Sequence, residues 1–252
     1  MAFRSNGQLD PGRPVHIACV GKKGTGKSEL AGVTFDSYPH DRMVIDVTGD
    51  VGPIPVGDPD RETYHEWHGA DVPARWRRDL QGRRQTVRYV PDPASPSYRA
   101  DLDRAMGLAY QHGKCMVWVD EGGEVAPVAQ VGPHARQGLH QGRHQELSQL
   151  WCMPRPKGVD VLVLAQADLV YVFWVPNPDD RKRIADTIGW PPDEFDAAVL
   201  GLAEHEYLRF DALAPAPGPG QADMRLVHFP ALPAEVIERR RARAARAETV
   251  GA

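Results

Sequence analysis

The 252-residue chain has a net charge of −4, with 42% hydrophobic and 25% charged residues. That balance belongs to a folded α/β domain of ordinary to large size and excludes a disordered chain. The small net charge supplies no overall field toward nucleic acid or acidic lipid.

The opening stretch MAFRSNGQLDPGRP lacks the apolar core of a secretory signal, so a cytoplasmic location is expected. A first buried strand is predicted over residues 15–20 (VHIACV), followed by a glycine-rich turn and a helix over 27–35. Further strands are predicted at 43–47, 86–90, 115–119, 147–152 and 169–175, with helices at 98–111, 133–141 and 179–188. Asn177 and Pro178 open the last helix as cap and first-turn residues. Short β-branched runs alternating with helical segments predict a mostly parallel sheet with helices on its faces. Residues 49–84, rich in Pro, Gly and aromatics without a period, read as an irregular insertion over one end of the sheet. After a short helix at 193–200, strands at 206–211 and 224–229 around the linker APAPGPGQ predict a C-terminal β-hairpin. Residues 1–232 are thus expected to form a single domain, and 233–252 a basic helical tail. The longest apolar run, VDVLVLAQADLVYVFWV, is interrupted by Asp160, Gln166 and Asp168 and falls short of a bilayer-spanning helix. Cys19, Cys115 and Cys152 lie in or beside apolar segments without metal-ligand spacing and are expected to be reduced core residues.

The turn after the first strand reads Gly21-Lys22-Lys23-Gly24-Thr25-Gly26-Lys27-Ser28, a full match to G-x-x-x-x-G-K-[ST] between a strand and a helix. Its glycines let backbone N–H groups curl around a triphosphate, and the helix N-terminus adds its dipole. Lys27 is expected to reach the β- and γ-phosphates, Ser28 to ligate Mg²⁺, and Glu29 to follow in the helix's first turn. A second carboxylate is needed to hold magnesium through water at the end of a neighbouring buried strand. CMVWVDE supplies it: Asp120 is the expected metal residue and Glu121 the group that orients or deprotonates the attacking water, with Glu124 as a substitute. ATP and Mg²⁺ are therefore the expected ligands, and ATP hydrolysis the expected activity.

Further along, Gly142-Arg143-His144, Arg155-Pro156, Gln166-Ala167-Asp168 and Asn177-Pro178-Asp179-Asp180 follow in a fixed order of turn, strand, loop and helix. With the P-loop and the Asp-Glu strand, this string resembles the HerA/FtsK superfamily of P-loop motors over roughly residues 15–210. The resemblance implies a RecA-like core that assembles into a ring, by analogy a hexamer, and moves, packages or transfers DNA. It also implies an arginine acting on a neighbouring subunit's nucleotide, for which Arg143 and Arg155 are the candidates and Arg136 a third. Compact relatives of this kind occur in phages and mobile elements. The family's glutamine before Arg-Pro is here Pro154, which has no side-chain hydrogen-bonding group; either hydrolysis is slow or Gln149 or Gln166 takes the place.

Other clusters carry less. His140 and His144 could share a helical face but have no third ligand at metal spacing, and His65 and His68 with Tyr64 and Trp67 read as a surface cluster. The arginines at 75, 77, 78, 83 and 84 around Trp76 are candidates for DNA contact. Those at 239, 240, 241, 243 and 246 read as a solvated face. Two alternatives to a motor remain: a nucleotide-gated adaptor with little hydrolysis, and a P-loop GTPase or kinase not acting on DNA. Asp120-Glu121-Gly122-Gly123 satisfies the GTPase D-x-x-G, but no N-K-x-D guanine-reading motif occurs.

Overall fold

The computed structural model describes residues 13–51, 54, 58–216 and 223–250, with side chains described to residue 245. The start of the chain and most of the Pro/Gly linker expected at 214–221 lie outside these residues. The chain runs β1 (His16–Val20), α1 (Lys27–Asp36), β2 (Asp41–Ile45), β3 (Glu62–His68), β4 (Arg84–Val90), α2 (Tyr98–His112) and β5 (Cys115–Val119). It continues through α3 (Gly122–Val125), α4 (Pro133–Gln141), β6 (Ser148–Met153), α5 (Val161–Ala165), β7 (Leu169–Val172) and α6 (Pro178–Ile188). The last elements are α7 (Pro192–Leu200), β8 (Tyr207–Asp211), β9 (Leu226–Phe229) and α8 (Ala234–Val250).

One nine-stranded sheet has the order β3-β4-β2-β5-β6-β1-β7-β8-β9. Pairs from β3 to β7 are parallel, whereas β8 pairs antiparallel with both β7 and β9. The expected C-terminal hairpin is therefore present, and it extends the sheet at the β7 edge. Strands β1, β2, β5, β6 and β7 are buried along their whole length. Alternate residues feed two cores. Ile17, Cys19, Val44, Trp118, Leu150 and Cys152 pack on the α1 face with Leu30 and Phe35. Ala18, Val20, Met43, Val117, Val119 and Trp151 pack on the other with residues of α2, α4, α6 and α7. The three cysteines are buried and free, as read from their surroundings.

The stretch at 49–84 departs from the expectation of irregular structure, because β3 lies within it. Its sequence ETYHEWH pairs in register with β4 but keeps most side chains half-buried or exposed, as an edge strand can. Lacking an apolar face, it gave no period to read. Glu62 at its start is buried against Arg42 of β2, with a 2.9 Å ion pair, and against Arg84 of β4. At the other end of the chain, α8 lies on α1: Arg240 Nε donates to Asp36 Oδ2 at 2.9 Å and Arg241 pairs with Glu29 at 3.4 Å. The tail arginines are thus not all a solvated face. Among the described residues no helix is long and apolar enough to cross a membrane.

Candidate active site

The glycine-rich turn leaves β1 at the C-terminal edge of the parallel strands. Gly21 N–H donates to the Met153 carbonyl at 3.2 Å and Lys22 N–H to that of Trp174 at 3.0 Å, which ties the loop to the strand ends on both sides. Gly21 passes so close to Phe173 that a Cβ there would stand 2.6 Å from the Phe173 Cβ. Gly26 caps α1 with φ +98°, in left-handed space that favours glycine, and no side chain caps the helix. The first-turn N–H groups are left for an anion, the arrangement that binds phosphate.

Lys27 is buried, and its Nζ folds across the loop to donate to the Lys22 carbonyl at 2.8 Å. Burial lowers its pKa, opposed by nearby groups that include Glu121 and Glu29. Lys22 reaches over the Trp174 ring, Lys23 pairs with Asp50 at 3.6 Å, and Thr25 Oγ1 donates to the Lys22 carbonyl at 2.8 Å. Gly24 and Ser28 are exposed. Ser28 and Glu29 line a cavity of about 280 Å³ closed by Val33, Asp50, Ile237 and Arg241.

Asp120 and Glu121 follow β5 at the same edge. The strand that carries them is not the immediate neighbour of β1, because β6 runs between them. Asp120 Oδ1 accepts the Val47 N–H and Oδ2 the Thr48 hydroxyl, both at 2.8 Å, so the carboxylate is aimed by the loop after β2. Burial raises its pKa to about 6, with the neighbouring Asp46 adding to the rise. Burial and the charge of Asp120 raise Glu121 to about 7, offset in part by Lys27. Two desolvated carboxyls beside a buried ammonium suit a cation better than they suit solvent. The exposed Ser28 hydroxyl and the Asp120 carboxylate are hard oxygen donors of the kind that could hold magnesium. Glu124, the substitute, instead accepts the Tyr98 hydroxyl at 3.3 Å.

Pro154 follows Met153 directly at the loop, so the position that lacks a polar side chain is at the site itself. Neither proposed substitute reaches it. Gln149 is paired with His16 four residues before Val20, about 13 Å along the strand. Its amide is committed to His16 and Trp151. Gln166 lies at the end of α5, ahead of β7, and therefore also at the opposite edge. Arg143 is there too, bonded to the buried Asp168 at 2.7 Å. Arg155 is exposed at the P-loop edge and has no side-chain partner among the described residues; Arg136 is exposed on α4.

Several of the residues around Trp76 expected to contact DNA are engaged within the fold. Trp76 is buried, stacked on His112 with ring centroids 3.9 Å apart. Arg78 is bound to Asp41, Arg83 to Asp79 and Arg84 to Glu62, which leaves Arg75 and Arg77 facing solvent. No metal-binding cluster of His, Cys, Asp and Glu occurs among the described residues, at His140 and His144 or elsewhere. The sequence reading missed Thr48, which aims Asp120, and the approach of α8 to the P-loop. Neither carries a motif, since both act through a fold contact with distant residues.

With a glycine loop after a central strand and an acidic pair after a second, the chain can be set beside solved structures. It is similar to the genome packaging NTPase B204 from Sulfolobus turreted icosahedral virus 2 in complex with ATP-gammaS, with TM-score 0.60 and 19% identity, covering 88% of this chain and 99% of that one. The same protein in complex with AMP gives 0.59 and 18%, over 89% and 100%. B204, the DNA-packaging ATPase from Sulfolobus turreted icosahedral virus, gives 0.59 and 18%, over 87% and 99%. The chain has a RecA-like P-loop fold, a mostly parallel sheet with flanking helices. At such identity the likeness carries the fold, and the RecA-like core here is met almost end to end by B204. No family model matches the chain, and no curated protein matches it either.

Proposed function

We propose that this chain is an ATP-hydrolysing motor acting on DNA, in translocation, packaging or transfer, and that it works as a ring. The observation that carries hydrolysis is the meeting of Lys27, Asp120 and Glu121 at one sheet edge, at the mouth of an uncapped helix. In this reading the loop amides and Lys27 hold the phosphates, while Ser28 and, through water, Asp120 hold magnesium. The metal would neutralise charge on the phosphate oxygens. Glu121, with a pKa near neutrality, takes a proton from the attacking water. DNA as substrate is supported by the packaging role named for B204, and a ring by the resemblance in sequence. Arg155, exposed beside the loop, is the candidate for contact with a neighbouring subunit's nucleotide.

The test is phosphate release with and without DNA, beside the assembly mass with a non-hydrolysable ATP analogue. Wild type is expected to hydrolyse ATP faster on DNA, and Lys27→Ala and Glu121→Gln to cut release by orders of magnitude. Hydrolysis indifferent to single- and double-stranded DNA alike would overturn the motor. Pro154 favours a second reading, the nucleotide-gated adaptor, for which ATP and Mg²⁺ would raise the melting temperature without phosphate release. Competition between ATP and GTP separates both from a GTPase.

A further inference from the structure

Between β7, the turn before β8 and the start of α8 lies a second cavity, of about 230 Å³, that opens on the P-loop helix. Gly26 and Glu29 form its phosphate-side wall, Phe173 and His205 a second wall, and Leu232 and Ile237 a third. A triphosphate on the α1 N-terminus would carry its nucleoside away from the loop, and this cavity borders the first turn of that helix through Gly26 and Glu29. Small-ligand sites are mostly apolar with a few polar groups, and the lining here joins Phe173, Leu232 and Ile237 with Glu29, Glu238 and Arg241.

His205 is the unusual residue. Its φ is +63°, left-handed space that few non-glycine residues take, histidine among the more tolerant of them. It sits in a turn in which Glu206 N–H donates to the Ala203 carbonyl at 3.2 Å. Glycine would occupy that position without strain. Histidine instead sets an imidazole over the P-loop: a Cβ on Gly26 would lie 3.3 Å from His205 Nδ1 and 3.4 Å from the Phe173 ring. The side chain remains 47% exposed, and its only ion-pair neighbour among the described residues is Glu204 at 3.5 Å, itself 88% exposed. Behind it, the buried Phe173 packs on the buried Tyr207, and Tyr207 stacks on the half-buried Phe229 at 5.5 Å, so the wall is fixed by packed aromatics. A half-exposed aromatic ring held beside a phosphate loop by a packed aromatic wall is an arrangement suited to a planar ligand.

We propose that this cavity is the nucleoside subsite, in which the aromatic base of the bound triphosphate stacks on His205 beneath the first turns of α8. The inference rests on the P-loop reading and deepens it, since it assigns affinity for the base to residues outside every sequence motif. It also makes α8, through Leu232 before it and Ile237 and Arg241 on it, part of the nucleotide site.

The experiment compares binding of ATP and of inorganic tripolyphosphate, each with Mg²⁺, to the full chain and to His205→Asn, His205→Gly and Leu232→Ala. Asparagine tolerates left-handed backbone and glycine relieves it, so both keep the turn while removing the ring. Wild type is expected to prefer ATP. The His205 variants should lose about tenfold in ATP affinity, toward the lower end of base–aromatic stacking. Tripolyphosphate affinity should not change, and the melting temperature of the nucleotide-free His205→Gly protein should not fall. Equal wild-type affinity for ATP and tripolyphosphate, unchanged ATP binding in the variants, or parallel loss of both ligands would each overturn the subsite. Failure of wild type to bind either ligand would instead overturn the P-loop reading beneath it.

Discussion

At the N-terminal ends of β1, β6 and β7, Asp168 accepts the His16 N–H at 2.8 Å and Arg143 at 2.7 Å, and Ser148 accepts the Val15 N–H at 3.2 Å. At the C-terminal ends of β1 and β5, Asp120 and Glu121 are pushed up to about 6 and about 7 by burial, with one ammonium near them. The same sheet thus carries paired charge at one edge and under-compensated charge at the other. Paired charge contributes to the fold, whereas under-compensated charge costs stability until a ligand arrives. The comparison separates structural from functional residues more sharply than residue type does, because Asp and Arg occur at both edges.

Exchanging the roles of the edges should fail in opposite ways. Glu121→Gln is expected to cut phosphate release by about 10²–10⁴, the range for loss of a general base. The nucleotide-free protein should melt higher by a degree or so, since a half-buried charge that costs stability has been removed (about 2–4 °C per kcal/mol in a chain of this size). A coupled phosphate assay and a thermal melt on one sample decide it; a lowered melting temperature would place Glu121 among the stabilising carboxylates.

The opposite edge gives the converse. Asp168→Ala leaves the His16 N–H without its acceptor in a buried place, which is expected to cost about 2–3 kcal/mol. Turnover per folded molecule, measured well below the melting point, should stay near wild type. A denaturant titration read beside the activity is the check, and lost turnover in a fully folded sample would break the division between edges.

The candidate site was legible because a P-loop and an acidic strand end each need specific residue types at fixed spacing, and both segments fold locally around them. The spacing that singled out Gly21, Lys27, Ser28, Asp120 and Glu121 also places them after strands β1 and β5 at one edge of the sheet. Gln149 and Gln166 were misplaced for a different reason: a residue's distance from Pro154 in sequence does not say at which end of a strand it lies. The register of β6 on β1 settles that, and it is a property of the sheet. Strand β3 escaped because an exposed edge strand needs only backbone pairing, which leaves no hydrophobic alternation. The seating of Arg240 on Asp36 escaped because it joins residues 204 positions apart.

The pH dependence follows from the raised carboxyls and should be of middle size. Below about pH 7 Glu121 is protonated and cannot accept a proton, so kcat/KM is expected to fall about tenfold per pH unit. Stability of the nucleotide-free protein runs the other way. A carboxyl whose pKa is higher folded than unfolded contributes stability fully present below the unfolded value, near 4, and lost as pH rises through about 6 and about 7. Melting temperatures from pH 5 to 8 should show this contribution as a decline on Glu121→Gln substitution made shallower. A slope identical in wild type and variant would remove Glu121 as its source.

The smallest effects are expected from the two candidate arginines, and they fall on either side of the comparison. Arg143→Ala removes a bond to a buried carboxylate from a half-exposed side chain, so it should lower stability by about 1 kcal/mol, the range of an exposed to partly exposed pair. Its activity per folded monomer should be unchanged. Arg155→Ala removes a side chain with no partner among the described residues and should leave the melting temperature within a degree or so of wild type. If Arg155 completes a neighbour's site, its loss lowers only the DNA-stimulated rate of the assembled protein, and mixing it with Lys27→Ala subunits restores part of that rate. The restoration requires that one subunit supply the loop and another the arginine, which a purely structural arginine could not imitate. Activity lost in Arg143→Ala and kept in Arg155→Ala would assign the role to the paired residue, and pairing would then no longer mark a side chain as structural.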